Sequence, residues 1–224
     1  MELLSVNLGR ATASEYTDQA EGVTGIGKQP TEGPVEVREP GPRGTGGSGL
    51  VGDDVCDLRH HGGTRQAVYA YAREDLDRWE SDLGRPLRGG EFGENLTTVG
   101  LDVNGARLGE QWRVGADLVL EVTASRIPCR TFAGALNEEK WVKRFTEAVA
   151  PGAYLKVVEP GVVRAGDPIE IAHRPAHDVT VAMHFKANTL ERSLLPRLLE
   201  AGDVLSPLTR EKALAYLEKH GGAA

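Results

Sequence analysis

Leu118-Val119-Leu120-Glu121-Val122-Thr123 runs through Ala124 into Ser125-Arg126-Ile127-Pro128-Cys129-Arg130. The first six residues are apolar or β-branched except for Glu121, the composition of a largely buried strand. Pro128 has no N–H to offer a ladder and biases Ile127 toward an extended backbone. Pairing should therefore stop here, with Cys129 emerging on a fixed turn just past a strand end. Arg126 and Arg130 flank the thiol at −3 and +1. Positive charge beside a thiol favours the thiolate, the form that attacks electrophiles and binds soft metals. The alternative is an inert, buried cysteine with both arginines turned away.

Outward from this stretch, short strand-like runs dominate. Residues 2–8, 22–27, 35–38, 67–71, 152–158, 162–164 and 168–171 all read as strands, with Lys28-Gln29-Pro30 as a connection. Residues 40–49 hold so much Gly and Pro that a flexible loop is expected. Arg73 to Leu83 reads as a helix with Leu76, Trp79 and Leu83 on one face. Asn137 is expected to cap a second helix to about Val149, burying Trp141, Phe145 and Val149. Beyond His177 the pattern turns helical, around residues 190–201 and 207–219, with Pro196 expected to kink the first and Ser206-Pro207 to start the second. Many short strands with few helices predict a mainly β fold, a β-barrel with peripheral helices, because closure removes exposed edges. The body spans residues 1–174, and residues 177–224 form a small C-terminal helical appendage.

Composition limits the function classes. The 224 residues carry 33 acidic and 26 basic side chains, a formal net charge of −7. That balance argues against nucleic-acid binding, which needs a basic face. No apolar run approaches the ~20 residues that cross a bilayer, so no membrane partner is expected. Two cysteines without a secretory-type leader point to the reducing cytoplasm.

Two further clusters carry chemistry. Gly49-Leu50-Val51-Gly52-Asp53 precedes Asp57-Leu58-Arg59-His60-His61-Gly62-Gly63. Paired glycines after histidine let backbone approach a ligand and expose amides to an anion, to which Arg59 adds a bidentate donor; they also fit a simple tight turn. A zinc site from Cys56, His60 and His61 lacks a fourth ligand, and adjacent histidines rarely converge on one ion. In Gly90-Glu91-Phe92-Gly93-Glu94-Asn95-Leu96-Thr97-Thr98, Asn95 offers donors and an acceptor to a heterocycle edge, or bonds its own turn.

Together these segments resemble the MOSC family, named for the C-terminal domain of molybdenum cofactor sulfurase, in its stand-alone YiiM type. Gly152-Ala153-Tyr154-Leu155 and Val163-Arg164-Ala165-Gly166-Asp167 extend the resemblance, which runs over residues 2–172. The glycine insertion at 41–48 and Cys56 depart from the pattern. The resemblance implies a MOSC β-barrel holding a pyranopterin molybdenum cofactor, with Cys129 as the metal ligand. It implies a reductase of N-hydroxylated small molecules such as hydroxylamino bases and amidoximes. Lys28, Arg59, Arg126 and Arg130 would hold the pterin phosphate, with Gly62 lending backbone. His61 or Asn95 would orient ligand, and His61 would transfer protons. Two cysteines cannot bind an iron–sulfur cluster that takes four, so electrons must come from an external donor protein. A cofactor or persulfide carrier, and a metal-free cysteine hydrolase using Cys129 and His61, are the competing readings.

Overall fold

β-Branched residues set the longest strand where the sequence places it, and that strand organises the sheet. The computed structural model describes residues 1–220. In chain order the elements are β1 (Glu2–Leu8), β2 (Thr12–Ala13), β3 (Val23–Thr24), β4 (Gln29–Pro30), β5 (Val35–Val37), β6 (Val68–Ala72), α1 (Arg73–Leu83), β7 (Leu96–Val99), β8 (Gln111–Val114) and β9 (Leu118–Ser125). There follow α2 (Arg130–Leu136), α3 (Trp141–Ala148), β10 (Ala153–Glu159), β11 (Gly161–Val163), β12 (Ile169–His173), α4 (Val181–Thr189), a 3-10 run at Arg192–Val204, and α5 (Pro207–His220). Every residue of β9 except Ala124 is buried.

Eight strands form one mixed sheet in the order β12-β8-β9-β10-β6-β7-β1-β4. Only β6 and β7 pair in parallel among these neighbours, and α1 supplies the crossover that such a pair requires. Strand ladders do not close this sheet into the expected barrel among the described residues. Its ends are tied more sparingly: Glu2 bridges Pro168, and the Leu3 N–H donates to the Asp167 carbonyl at 2.9 Å. The fold is sheet-dominated with helices, and no described helix is long and apolar enough to cross a membrane.

Several local expectations change. Lys28-Gln29-Pro30 contributes β4 rather than a mere connection. Asn137 does not start a helix; it ends α2 in the left-handed region (φ 52°), its N–H donating to the Ala133 and Gly134 carbonyls. Asn tolerates that conformation, which explains the reversal. The next helix begins only at Trp141, and its Trp141 and Phe145 are buried as expected. Residues 190–201 form mostly 3-10 turns, because Pro196 can donate no α-helical hydrogen bond. Ser206 caps α5, accepting from the Thr209 N–H at 3.2 Å. Core residues Val181, Leu198 and Ala213 of the helical region join the same apolar cluster as Leu118, Leu120 and Val122 of β9.

A second cluster is aromatic. Phe92, Phe132, Trp141 and Phe145 are packed mostly edge to face, with Phe92 and Phe132 centroids 5.3 Å apart. Phe92 comes from the glycine-rich turn before β7 and Phe132 from α2, so this packing locks two distant motifs together. Phe132→Ala should lower the unfolding free energy by about 3–5 kcal/mol. Urea unfolding tests this, and a loss below ~1 kcal/mol would show the cluster to be dispensable.

Candidate active site

β9 ends at Ser125, and Arg126-Ile127-Pro128 carries the backbone out of the sheet. Cys129 follows in an extended conformation (φ −129°, ψ 171°) immediately before α2. Its thiol is half-buried and lines a cleft of about 770 Å³, solvent at the mouth included. Lys28, His61, Gly62, Asn95 and Arg126 line the same cleft.

Arg126 is buried, yet it forms no ion pair among the described residues. One guanidinium nitrogen donates to the Phe92 carbonyl, and the guanidinium carbon sits 4.1 Å from the Phe132 ring centre and 4.9 Å from that of Tyr69. The π faces repay part of the cost of removing this charge from water. Its Nε–H has no acceptor. The cleft wall therefore holds a fixed guanidinium with no direct ion-pair partner among the described residues.

Lys28 differs, because its charge is matched. It ion-pairs with Asp53, whose side chain is 1% exposed and also accepts from the Gly9 N–H at 2.6 Å and Asn95 Nδ2 at 2.8 Å. The Oδ1 of Asn95 accepts from the Tyr69 N–H at 3.1 Å. Asn95 thus spends its amide on the protein. Asp53 was not singled out from the sequence as a partner, although a buried lysine demands one. Asp53→Asn should destabilise the fold by about 3–5 kcal/mol, because it strands a buried ammonium. Lys28→Met added to it should recover part of that loss in the same unfolding assay.

His61 is half-buried in the cleft wall. Burial, helped by the charge of Arg126, pushes its pKa down to about 4, so the ring is neutral at pH 7 rather than poised near neutrality. Between about pH 6.5 and 4 the unfolded chain binds a proton here that the folded chain refuses. Stability from this group is therefore lost as pH falls through that window. His61→Gln should flatten the acid limb of the stability profile by up to about 1.4 kcal/mol per pH unit relative to wild type. An unchanged slope in pH-dependent urea titrations would contradict this.

The glycine pair after His61 meets protein rather than open space. Gly62 and Gly63 have φ 75° and 76°, and a Cβ on Gly62 would stand 2.6 Å from the Gly47 carbonyl oxygen. The insertion at 41–48 is accordingly not a loose loop. It packs on this turn, with the Gly63 N–H donating to Gly47 O at 3.0 Å and the Thr64 N–H to Gly41 O at 2.8 Å.

Arg59 and Arg130 do not line the cleft. Arg59, 60% exposed, pairs with Asp57 at 2.9 Å, and Arg130, 64% exposed, with Asp18 at 3.0 Å. Cys56 does line the cleft, and burial followed by the charge of Asp54 pushes its thiol pKa up. Tyr69 and Gln66, which no sequence motif marks, and Tyr154, from the Gly152–Leu155 motif but not singled out within it, also line the cleft. No group of three or more His, Cys, Asp or Glu among the described residues is arranged to hold a metal, so the zinc reading of Cys56, His60 and His61 finds no geometry.

Residues 57–170 match the MOSC domain, the segment that contains His61, Asn95 and Cys129. The chain is 32% identical to YflK of Bacillus subtilis over 186 residues, covering 83% of this chain and 80% of that protein. It is 28% identical over 156 residues to a protein named Reductase from Gibberella moniliformis, covering 67% of this chain but only 27% of that longer one. The crystal structure of YiiM from Geobacillus stearothermophilus superposes with a TM-score of 0.75 at 25% identity, covering 96% of this chain and 98% of that one. The chain thus belongs to the MOSC-domain family, and its fold is similar to that of YiiM from Geobacillus stearothermophilus.

Proposed function

We propose that the cleft binds a pyranopterin molybdenum cofactor, with the Cys129 thiolate as protein ligand, and that the protein reduces N-hydroxylated small molecules. The observation that carries this reading is Arg126, a buried guanidinium with an orphan Nε–H in the wall that also presents a half-buried thiol. An anionic group bearing a soft metal satisfies both: thiolate suits the metal, and the guanidinium suits phosphate.

The residues divide the work. Arg126 would face the anionic part of the cofactor, and Gly62 lines the same cleft through its backbone. Lys28, held by Asp53, and Asn95 would shape the wall rather than neutralise phosphate. Neutral His61 would accept or pass on a hydrogen bond near the reacting atoms. Arg59 and Arg130 stay at the surface in their ion pairs. The bound molybdenum centre supplies two-electron redox chemistry that a polypeptide lacks. Conversion of a hydroxylamine or amidoxime N–OH to N–H takes two electrons and two protons and releases water. The electrons would come from an external donor protein. The fungal relative named Reductase supports the class of reaction, and two unpaired cysteines fit a cytoplasmic setting.

The test is anaerobic reduction of a hydroxylamino purine or an amidoxime, driven by reduced viologen, using protein from a cofactor-competent host. Molybdenum and pterin content are measured alongside. Cys129→Ser should lower turnover by roughly 100-fold or more, since ligand-shell changes act on that scale. Arg126→Met should lower pterin retention. Equal turnover in wild type and Cys129→Ser would remove the assigned role of the thiol. A fully loaded but inactive wild type that hands cofactor or sulfur to an acceptor would make the protein a carrier.

A further inference from the structure

Ser125 is the last residue of β9 and stands directly before the turn that delivers Arg126 and Cys129. Across the sheet it pairs with Ala153 of β10. It is also met by His184, a side chain of α4. The His184 Nδ1 lies 3.3 Å from the Ser125 backbone nitrogen and 2.8 Å from its Oγ. A backbone N–H only donates, so Nδ1 is the acceptor and the ring proton resides on Nε2. Burial, with the charges of Arg65 and Lys212, pushes the His184 pKa down to about 4, which keeps this acceptor available at neutral pH.

The support behind His184 is rigid. Its helical neighbours Val181 and Phe185 are buried, and Phe185 meets Phe145 edge to face at 6.3 Å. Phe145 in turn packs on Phe132, the ring beneath the Arg126 guanidinium. Ser125 and Arg126 are therefore held from two directions, by an imidazole on one and an aromatic stack on the other. His184 itself does not line the cleft.

We propose that His184 is a positioning residue: by accepting from Ser125 it fixes the end of β9, and thereby sets how Arg126 and Cys129 enter the cleft. The C-terminal helices are then part of the scaffold of the site. This does not rest on the molybdenum reading, because it concerns the apo thiol. It is tested without cofactor, in a Cys56→Ser background where Cys129 is the sole thiol, by the rate of alkylation with iodoacetamide. His184→Leu keeps the volume but removes the acceptor. His184→Asn places an amide oxygen near the position of Nδ1.

The Leu variant should be alkylated roughly tenfold faster, the effect of losing about one net hydrogen bond from the segment. The Asn variant should remain within about twofold of the His184 parent, at a comparable melting temperature. Parental rates in the Leu variant overturn the proposal. Equal acceleration in both variants also overturns it, since ring packing and not the acceptor would then matter. If the Leu variant does not fold, Ser125→Ala removes the 2.8 Å contact without touching the ring. It should give a smaller acceleration, and a parental rate there is equally decisive against the proposal.

Discussion

The clamp on the Arg126 guanidinium is the contact on which the site depends. It joins the end of β9 to the Phe92 carbonyl in the glycine turn before β7, to Tyr69 on β6 and to Phe132 on α2. Three stretches of sequence, around Tyr69, Phe92 and Arg126–Phe132, thus meet on one charged group. Each partner satisfies only part of it, and none neutralises it. A buried charge left in that state is costly and raises the local potential, so an anion entering the cleft gains what the fold has left unpaired. Glu94 braces the same turn from below, accepting from the Gly90 and Phe92 N–H groups at 2.6 and 3.1 Å.

The contrast with Lys28 shows how charge is apportioned. Both cations are buried cleft residues, but Lys28 has Asp53 and Arg126 has no carboxylate. The lysine pair, tied through Asn95 to the start of β7 and through the Tyr69 N–H to β6, behaves as a structural rivet. The arginine retains binding capacity. Neutral His61 adds polarity without adding charge. Three carboxylates, Asp53, Asp54 and Asp57, also line the cleft, and among the described residues its one positive charge without an ion-pair partner is that of Arg126.

Glycine plays a structural part at the entrance. Gly62 and Gly63 adopt positive φ, and the backbone of residues 41–48 lies so close to this turn that any side chain there would collide with it. Residues 41–48 consequently buttress the histidine turn. Ser48, at its end, reaches the cleft.

Local chemistry made much of this legible. β-Branched runs placed β1, β6, β9 and β10, the 3.6-residue period placed α1, and Pro128 fixed where β9 must stop and Cys129 begin. These depend on neighbours in sequence, so the sequence states them. The strands β7 and β8 are only four residues each, and in β8 the half-exposed Gln111 and Arg113 alternate with buried Trp112 and Val114, so neither stretch stands out as an apolar run. Asp57 stands only two residues from Arg59, but Asp18, which occupies Arg130 at the surface, and Asp53, which occupies Lys28, reach their partners only through folding. The sequence alone determined the thiol, its turn and the strand that carries it. Only the tertiary structure decided that Arg126, of all the basic candidates, is buried without a counter-charge, because that depends on which distant groups the sheet brings within hydrogen-bonding reach and which it leaves outside.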